Sequence, residues 1–165
     1  MTEICSAKTI DDYNTIAELA NVIWHEHYTP IIGVEQVVYM LDKFQSTQAI
    51  QQQIKEEDYQ YFKIIHHQNN VGYISIKKEK STLFLSKIYV SKDYRGHGIG
   101  KIAMSFIELQ ALKQKCNSIY LTVNKYNTNS IKAYKKTGFK TIDAVVQDIG
   151  NGYVMDDYIM KKIIA

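Results

Sequence analysis

Three of the chain's eight glycines fall within five residues, at Gly96, Gly98 and Gly100. Glycine lets a chain turn tightly and lets its N–H groups approach an anion closely. The apolar run before this segment predicts a strand, and the apolar pattern after it predicts a helix, whose first N–H groups and dipole favour negative charge. Arg95 and Lys101 add cationic donors at the two ends. These features indicate a strand–loop–helix unit that binds phosphate.

The spacing of the loop excludes two common nucleotide-binding motifs. The dinucleotide fingerprint GxGxxG requires a glycine where Lys101 stands. A Walker A loop requires Ser or Thr after its Gly-Lys pair, and Ile102 occupies that position. The loop is therefore expected to bind another class of phosphate-containing ligand.

Hydrophobic periodicity predicts the elements before the loop. We expect a strand at residues 4–8, then a helix that is capped by Asp11 and ends near Tyr28, before Pro30. Two shorter helices follow. Residues 59–90 are rich in β-branched and aromatic types and predict three strands.

The same reasoning orders the rest of the chain. A turn at Gln68-Asn69-Asn70 is expected to join the first two of the three strands. After the loop we expect a helix at residues 99–114, a strand, a short helix and two final strands. The predicted core stripe of the helix after the loop consists of Ile99, Ile102, Phe106 and Leu109. The order favours an α/β (α+β) fold with a mixed sheet of about seven strands and about four helices.

Composition narrows the function classes. The 165 residues, 45% of them hydrophobic, fit a single domain, residues 1–165. A formal net charge of only +3 does not indicate the clustered basic face of a nucleic-acid binder. No apolar run reaches the ~20 residues of a membrane span, no secretory signal is evident, and the two isolated cysteines suit a reducing compartment. We therefore expect a cytoplasmic protein. We expect it to have no metal site and to bind neither nucleic acid nor membranes.

The loop fits the pattern Arg/Gln-x-x-Gly-x-Gly/Ala from Arg95 to Gly100, which resembles the GNAT superfamily of acyl-CoA-dependent N-acyltransferases. Two further segments share this resemblance. Residues 88–94 are similar to the family's approach to the loop. In residues 127–139, Asn, a small residue, Tyr and Gly-Phe have the spacing of its second signature. The resemblance spans essentially the whole chain, is strongest at about 83–139, and implies a mostly antiparallel sheet that is splayed at the acyl-CoA site.

The resemblance implies acetyl-CoA as co-substrate, held without a metal. In this family, backbone amides of the strand before the loop pair with the pantetheine arm, and the loop holds the pyrophosphate. The implied cofactor-binding residues are Ile88, Tyr89, Val90, Arg95, Gly96, His97, Gly98, Ile99, Gly100, Lys101, Asn127 and Lys136. For Lys136, a solvated lysine on a short helix is an equally good interpretation.

The resemblance also implies catalytic roles. Tyr134 stands at the position from which a tyrosine can give a proton to the leaving thiolate as general acid. Many relatives carry a carboxylate base on the strand before the loop, but no Asp or Glu lies between Lys80 and Lys92. A water chain or Glu26 is left as the base.

Residues 24–28 read Trp-His-Glu-His-Tyr. Their histidines lack the i, i+4 spacing of a zinc-binding HExxH helix. The family places its first helices over the acceptor, so Trp24, His25 and Tyr28 are candidate acceptor-binding residues. A helix end with one aromatic core residue and solvated histidines is the alternative interpretation.

Residues 24–41 look like the branch of the family that contains bacterial polyamine acetyltransferases of the PaiA kind. The sequence therefore predicts an N-acetyltransferase for a small primary amine, such as spermidine or spermine. A protein acetyltransferase acting on N-terminal amines or lysines and a non-catalytic CoA-binding regulatory module are the alternatives. The protein is expected to be a monomer or a homodimer.

Overall fold

A computed structural model describes Met1–Ala165 in full. The elements follow the predicted order, with seven strands and five α-helices rather than about four. They are β1 Thr2–Ser6, α1 Ile10–Ile32, α2 Val34–Gln45, α3 Thr47–Glu56, β2 Tyr59–His66, β3 Asn69–Glu79, β4 Thr82–Val90, α4 Ile99–Lys113, β5 Ser118–Asn124, α5 Thr128–Lys136, β6 Lys140–Gly150 and β7 Tyr153–Ile163, with a 3₁₀ turn at Lys92–Tyr94. None of the helices combines the length and the hydropathy that a membrane span requires.

The seven strands form one sheet in the order β1-β2-β3-β4-β5-β7-β6. A parallel register joins the start of β4, Thr82–Phe84, to Ser118–Tyr120 of β5, whereas β1–β2, β2–β3, β5–β7 and β6–β7 pair antiparallel. The α/β class with a mostly antiparallel sheet is confirmed, and the splay of the sheet at the acyl-CoA site stays a prediction.

The chain forms two compact units. The first unit comprises Met1–Lys77 and Leu85–Gln110, and the second comprises Lys78–Phe84 and Ala111–Ala165. The expectation of one domain over residues 1–165 stays a prediction.

In the first unit, the start of α1 differs from the expectation. Thr9, not Asp11, is the N-cap: its hydroxyl accepts from the Asp12 N–H at 3.2 Å, while the Asp12 carboxylate accepts from the Thr9 N–H at 3.1 Å. Such a reciprocal cap contributes about 1 kcal/mol. Burial raises the pKa of Asp12, but hydrogen bonds from Lys63 and the N–H groups of Lys8 and Thr9 outweigh it, so that the pKa falls to about 2.

The end of α1 also differs from the prediction. The helix continues through Pro30 to Ile32 and stops at Gly33, whose N–H bonds to the Thr29 carbonyl at 3.0 Å. Proline lacks an N–H, but in the last turn only its own helical hydrogen bond is lost. The helix therefore tolerates Pro30, and Gly33, with φ of 86°, ends it.

The core stripe of α4 is one step away from the predicted one. Ile102 and Leu109 are 44% and 49% exposed, whereas Ile99, Ala103 and Ile107 are at most 1% exposed. The helix has apolar residues on several faces, so periodicity alone did not identify the buried one. The predicted stripe is right at Ile99, which is buried, and in part at Phe106, which is half-buried with its ring 4.9 Å from that of Phe62.

Two tight hairpin turns connect antiparallel strands. β2 and β3 turn at His67 and Gln68, with φ of 47° and 68°, so the predicted turn at residues 68–70 is one residue late. In the second unit β6 and β7 turn at Asn151-Gly152, where φ is 54° and 80°. Positive φ at both positions is the type I′ geometry that matches the twist of paired strands.

Candidate functional site

The glycine-rich loop lies in the first unit between β4 and α4. Gly96 and Gly98 have φ of 81° and 78°, which disfavours any side chain at either position. A Cβ atom at Gly96, Gly98 or Gly100 would have no neighbour within 4 Å. The loop therefore exposes its backbone to a ligand, and no protein contact requires glycine at Gly100.

The N-terminus of α4 supplies backbone donors. Its first helical hydrogen bond runs from the Ile102 N–H to the Gly98 carbonyl at 3.2 Å. The N–H groups of residues 99–101 consequently have no acceptor within the helix. The side chains of His97 and Lys101 are exposed on the same segment. Backbone and side-chain donors are thus exposed on one segment, and the anion-binding role that the sequence predicts for them stays a prediction.

Arg95 connects the loop to the preceding strand. Its Nε donates to the Val90 carbonyl at 3.0 Å. A guanidinium has five N–H donors, so the terminal Nη groups can still donate elsewhere. Arg95 thus fixes the loop against the end of β4 and keeps its charge beside the glycine-rich loop.

The end of β4 is held very close to β3. A Cβ on Gly72 would lie 2.1 Å from the Tyr89 carbonyl oxygen, and the Ser91 N–H donates to the Val71 carbonyl at 2.7 Å. Only glycine fits at position 72 without moving backbone. The three residues expected to pair with a pantetheine arm, Ile88, Tyr89 and Val90, are half-buried on this stretch.

An aromatic cluster joins α1 to β4. The Tyr28 and Tyr89 hydroxyls are 2.8 Å apart, and the Trp24 ring lies 5.3 Å and 5.8 Å from their respective rings. Trp24 is only 3% exposed, and its indole N–H donates to the Tyr73 hydroxyl. Of the predicted acceptor residues, Trp24 is thus part of the core, whereas Tyr28 is half-buried against the strand.

His25 lies elsewhere on α1. It is half-exposed and lines a shallow cavity of about 280 Å³ between α1 and α2, together with Asn21 and Asp42. The structure brings Trp24 and Tyr28 together but does not place His25 in their cluster. Its acceptor role stays a prediction.

His27 was not among the predicted site residues. Its ring lies 4.7 Å from that of Tyr28, edge to face. Burial and, to a lesser extent, the charge of Arg95 lower the pKa of His27. Nothing in the sequence separates His27 from His25, since both flank Glu26 on the same helix. Only the fold shows which one lies near the loop arginine.

The second unit carries the remaining predicted residues on and before α5. Asn127 is 5% exposed and is the N-cap of that helix. Tyr134 is half-buried, with its ring 5.7 Å from that of Phe139, whose N–H donates to the Tyr134 carbonyl at 3.0 Å. Gly138, with φ of 101°, allows this return of the chain after the helix. Lys136 is exposed.

Comparisons with known proteins bear on the family and the fold. The model of the acetyltransferase (GNAT) family matches residues 16–139. A probable spermine N(1)-acetyltransferase from Bacillus subtilis subsp. natto (strain BEST195) is 32% identical over 59 residues, which are 35% of this chain and 39% of that protein. The similarity thus spans well under two thirds of that relative's length.

Two solved structures share the fold. The PaiA N-acetyltransferase from Thermoplasma acidophilum, in complex with coenzyme A, superimposes with a TM-score of 0.83 at 23% identity, over 99% of both chains. The ribosomal-protein-S18-alanine N-acetyltransferase from Escherichia coli gives a TM-score of 0.74 at 17% identity, over 100% of this chain and 95% of that one. At these identities the likeness shows the fold.

Proposed function

Because the chain belongs to the acetyltransferase (GNAT) family, we propose that it transfers the acetyl group of acetyl-CoA to a small primary amine, of which a polyamine such as spermidine or spermine is the best candidate. The observation that supports acetyl-CoA as the acetyl donor is the glycine-rich loop. Two glycines with positive φ there expose backbone N–H groups at a helix N-terminus. A pyrophosphate fits such a loop because it needs several donors at close range.

We assign acetyl-CoA binding to residues of both family signatures, the loop with the strand before it and the segment 127–139. The backbone of Ile88, Tyr89 and Val90 pairs with the pantetheine arm, and the segment from Arg95 to Lys101 holds the pyrophosphate. Asn127 and Lys136 are further cofactor contacts by family resemblance. The bound cofactor supplies an activated thioester, and the residues of this chain bind it, orient it and move protons.

Tyr134 is proposed as the general acid. A thiol has a pKa of ~8.5, so a departing thiolate gains from a proton delivered as the bond breaks. A tyrosine hydroxyl positioned for this task typically accelerates a reaction by ~10²–10⁴. Packing against the buried Phe139 ring limits the freedom of the Tyr134 side chain.

The acceptor amine must lose a proton before it can attack. With a pKa of ~10.4, neutralising it at pH 7 costs roughly 4–5 kcal/mol. β4 carries no carboxylate for this purpose. A water chain or Glu26, which is exposed on α1, is the proposed route for the proton.

Two observations bear on the acceptor. The segment shared with the spermine acetyltransferase favours a polyamine. The likeness to the ribosomal-protein alanine acetyltransferase makes a protein N-terminus the second candidate. A non-catalytic CoA-binding module is the third reading, and it requires Tyr134 to be dispensable.

The test is an acceptor panel. The protein is incubated with acetyl-CoA and spermine, spermidine, a monoamine or an alanine-initiated peptide, and free thiol release is followed together with the mass of the acceptor. We expect release that depends on the polyamine and yields its N-acetyl derivative. Turnover of the peptide alone would favour the second candidate, and no turnover despite acetyl-CoA binding would favour the third.

A further inference from the structure

β4 carries a lysine directly before the three residues that are proposed to pair with the pantetheine arm. The Lys87 ammonium donates to the Ser86 hydroxyl at 2.9 Å and to the Ser86 carbonyl at 3.2 Å, and both side chains are half-buried. An ammonium has three N–H donors, and the preceding residue supplies acceptors for two of them. The charge of Lys87 is therefore fixed against the backbone of β4.

The end of β4 shows which edge of the strand Ser86 faces. In a paired strand, residues whose N–H and carbonyl groups face one neighbour alternate with residues that face the opposite edge. The Ser91 N–H donates to the Val71 carbonyl of β3 at 2.7 Å, so Ser91 faces β3. Val90 faces the opposite edge, where its carbonyl accepts from Arg95. Ser86 precedes Val90 by an even number of residues and has the same orientation, so the ammonium bound to its carbonyl lies on the edge of β4 away from β3.

This edge is the one that the donor would occupy. The parallel ladder with β5 includes Thr82–Phe84 of β4, and Ser86 lies beyond it. Ile88 and Val90 face the same edge as Ser86, so their N–H and carbonyl groups are directed toward a pantetheine arm on that side. Because the glycine-rich loop follows Val90, the arm would run from Val90 back toward Ser86. On the proposed function, on which this step rests, the thioester at the end of the arm lies beside the ammonium.

We propose that the Lys87 ammonium takes the place of the carboxylate base that β4 lacks, because its charge favours the neutral form of the acceptor amine. A like charge within ~4–6 Å disfavours a second ammonium and typically lowers its pKa by ~1–3 units. The repulsion acts on the nitrogen that reacts, while the other ammonium groups of a polyamine lie farther from Lys87. A fixed cation therefore reduces the cost of neutralising the amine without accepting a proton itself.

The reaction balances without further reactants. The bound ammonium group of the acceptor releases one proton to water. The neutral nitrogen then bonds to the thioester carbonyl carbon, the C–S bond breaks, and the sulfur leaves with the bonding electrons. The sulfur gains one proton and the nitrogen loses a second one, which gives the N-acetyl product and free CoA thiol.

The test is the pH dependence of the chemical step. The single-turnover rate of thiol release, measured from about pH 6 to about pH 10 with saturating acceptor, follows the ionisation of the bound amine. In the native chain the rate should rise with an apparent pKa well below the ~10.4 of a free amine. Lys87→Met removes the charge but keeps a long side chain, so the apparent pKa should rise by about 1 unit or more. Lys87→Gln, a second neutral variant, should show the same rise, whereas Lys87→Arg keeps the charge and should stay close to the native value.

Lys77→Met is the matched control. Lys77 is a half-buried lysine of the neighbouring strand β3, and its ammonium lies 5.0 Å from the centre of the Tyr59 ring of β2. Its charge is therefore on the β2 side of β3, and its removal should leave the apparent pKa unchanged. Lys87→Met should also keep its Kd for acetyl-CoA within about threefold of the native value, which separates loss of the charge from displacement of the strand.

Two results would overturn this role of Lys87 and leave the proposed function intact. One is thiol release with the same apparent pKa in the native chain and in both neutral variants. The other is an arginine variant that behaves like the neutral variants, because a lysine acting as the base itself could not be replaced by arginine. Absence of thiol release from the native chain with every amine of the panel would instead refute the proposed function, and the role of Lys87 with it.

Discussion

The indole N–H of Trp24 donates to the hydroxyl of Tyr73 at 3.0 Å, between side chains that are 3% and 0% exposed. The Tyr73 hydroxyl donates in turn to Gln45 Oε1 at 2.6 Å, and Gln45 Nε2 donates to the Tyr61 hydroxyl at 3.0 Å. Each hydroxyl accepts one hydrogen bond and donates another. The side-chain polar atoms that take part in this series of hydrogen bonds are therefore satisfied within the core of the first unit.

The series of hydrogen bonds ends at a backbone carbonyl group. Tyr61 donates to Gln53 Oε1 at 2.5 Å, and Gln53 Nε2 donates to the Phe44 carbonyl at 2.7 Å. Burial raises the pKa of Tyr61 to about 12 and that of Tyr73 well above its ordinary value, so both stay neutral donors. This network connects α1, α2 and α3 to β2 and β3. It supports the helix that carries Tyr28 against β4.

Tyr73→Phe should destabilise the protein by on the order of 2–4 kcal/mol, because it leaves the Trp24 N–H and Gln45 Oε1 buried without partners. Urea unfolding measures the loss. Tyr126→Phe removes the same atom from a side chain that is 73% exposed and should change stability by less than about 0.5 kcal/mol. Equal effects of the two substitutions would refute the contribution of the network.

How far the sequence predicts this molecule depends on the range of the interactions. The strand–loop–helix unit was predictable because Gly96, Gly98 and Gly100 act locally, through backbone conformation. The element order was predictable because periodicity is also local. The Tyr28–Tyr89 pair was not, since 61 residues separate its members and thirteen tyrosines offer many equivalent pairings.

Two sequence predictions about helices were wrong, the buried face of α4 and the end of α1, and their physical causes are of the same kind. Helix α4 is apolar on several faces, and tertiary packing chose the stripe with Ala103 over the one with Ile102. Helix α1 passes Pro30 because the chain turns only at Gly33, where positive φ is available. In both cases a long-range or geometric requirement outweighed the local preference.

Gly98→Ala and Gly100→Ala form a matched pair for the donor loop. Gly98 has φ of 78°, so alanine there strains the backbone that presents donors to the pyrophosphate, and we expect acetyl-CoA affinity to fall by at least about tenfold. Gly100 lies in the first turn of α4 with ordinary φ and no neighbour within 4 Å. Alanine there should keep affinity and add about 0.5–1 kcal/mol of stability. Calorimetric titration with acetyl-CoA and thermal unfolding separate the two effects, and equal affinities would contradict the loop assignment.

Gly72→Ala tests the close approach of β3 to the end of β4. Its Cβ would lie 2.1 Å from the Tyr89 carbonyl oxygen, so the backbone of β4 must move. We expect a loss of about 1–3 kcal/mol in stability and a higher Kd for acetyl-CoA, because residues 88–90 are displaced. Gly33→Ala is the control: it strains a positive-φ position with no atom within 4 Å and should destabilise without affecting cofactor affinity. Unchanged affinity in Gly72→Ala would argue against pantetheine pairing on this strand.

His27 should titrate below its ordinary pKa of 6.5, because it is partly buried and lies near Arg95. Between the folded and unfolded pKa values the unfolded chain binds more protons, so this residue's contribution to stability is complete above about pH 6.5 and is lost as the pH falls through the folded pKa. Histidine NMR titration measures the shift. Arg95→Gln should move the pKa part of the way back toward 6.5, whereas Lys101→Gln should not. A His27 pKa at or above 6.5 in the native chain would contradict the placement of this ring.

Tyr134→Phe separates catalysis from binding. If the hydroxyl protonates the leaving thiolate, its removal should lower kcat by ~10²–10⁴ with little change in the Kd for acetyl-CoA. Phenylalanine keeps the ring contact with Phe139, so the fold should be retained. Thiol release with the best acceptor of the panel measures kcat, and Tyr126→Phe is the control for loss of an exposed phenol. A kcat within about twofold of the native value would remove Tyr134 as the acid. The proton would then have to come from water.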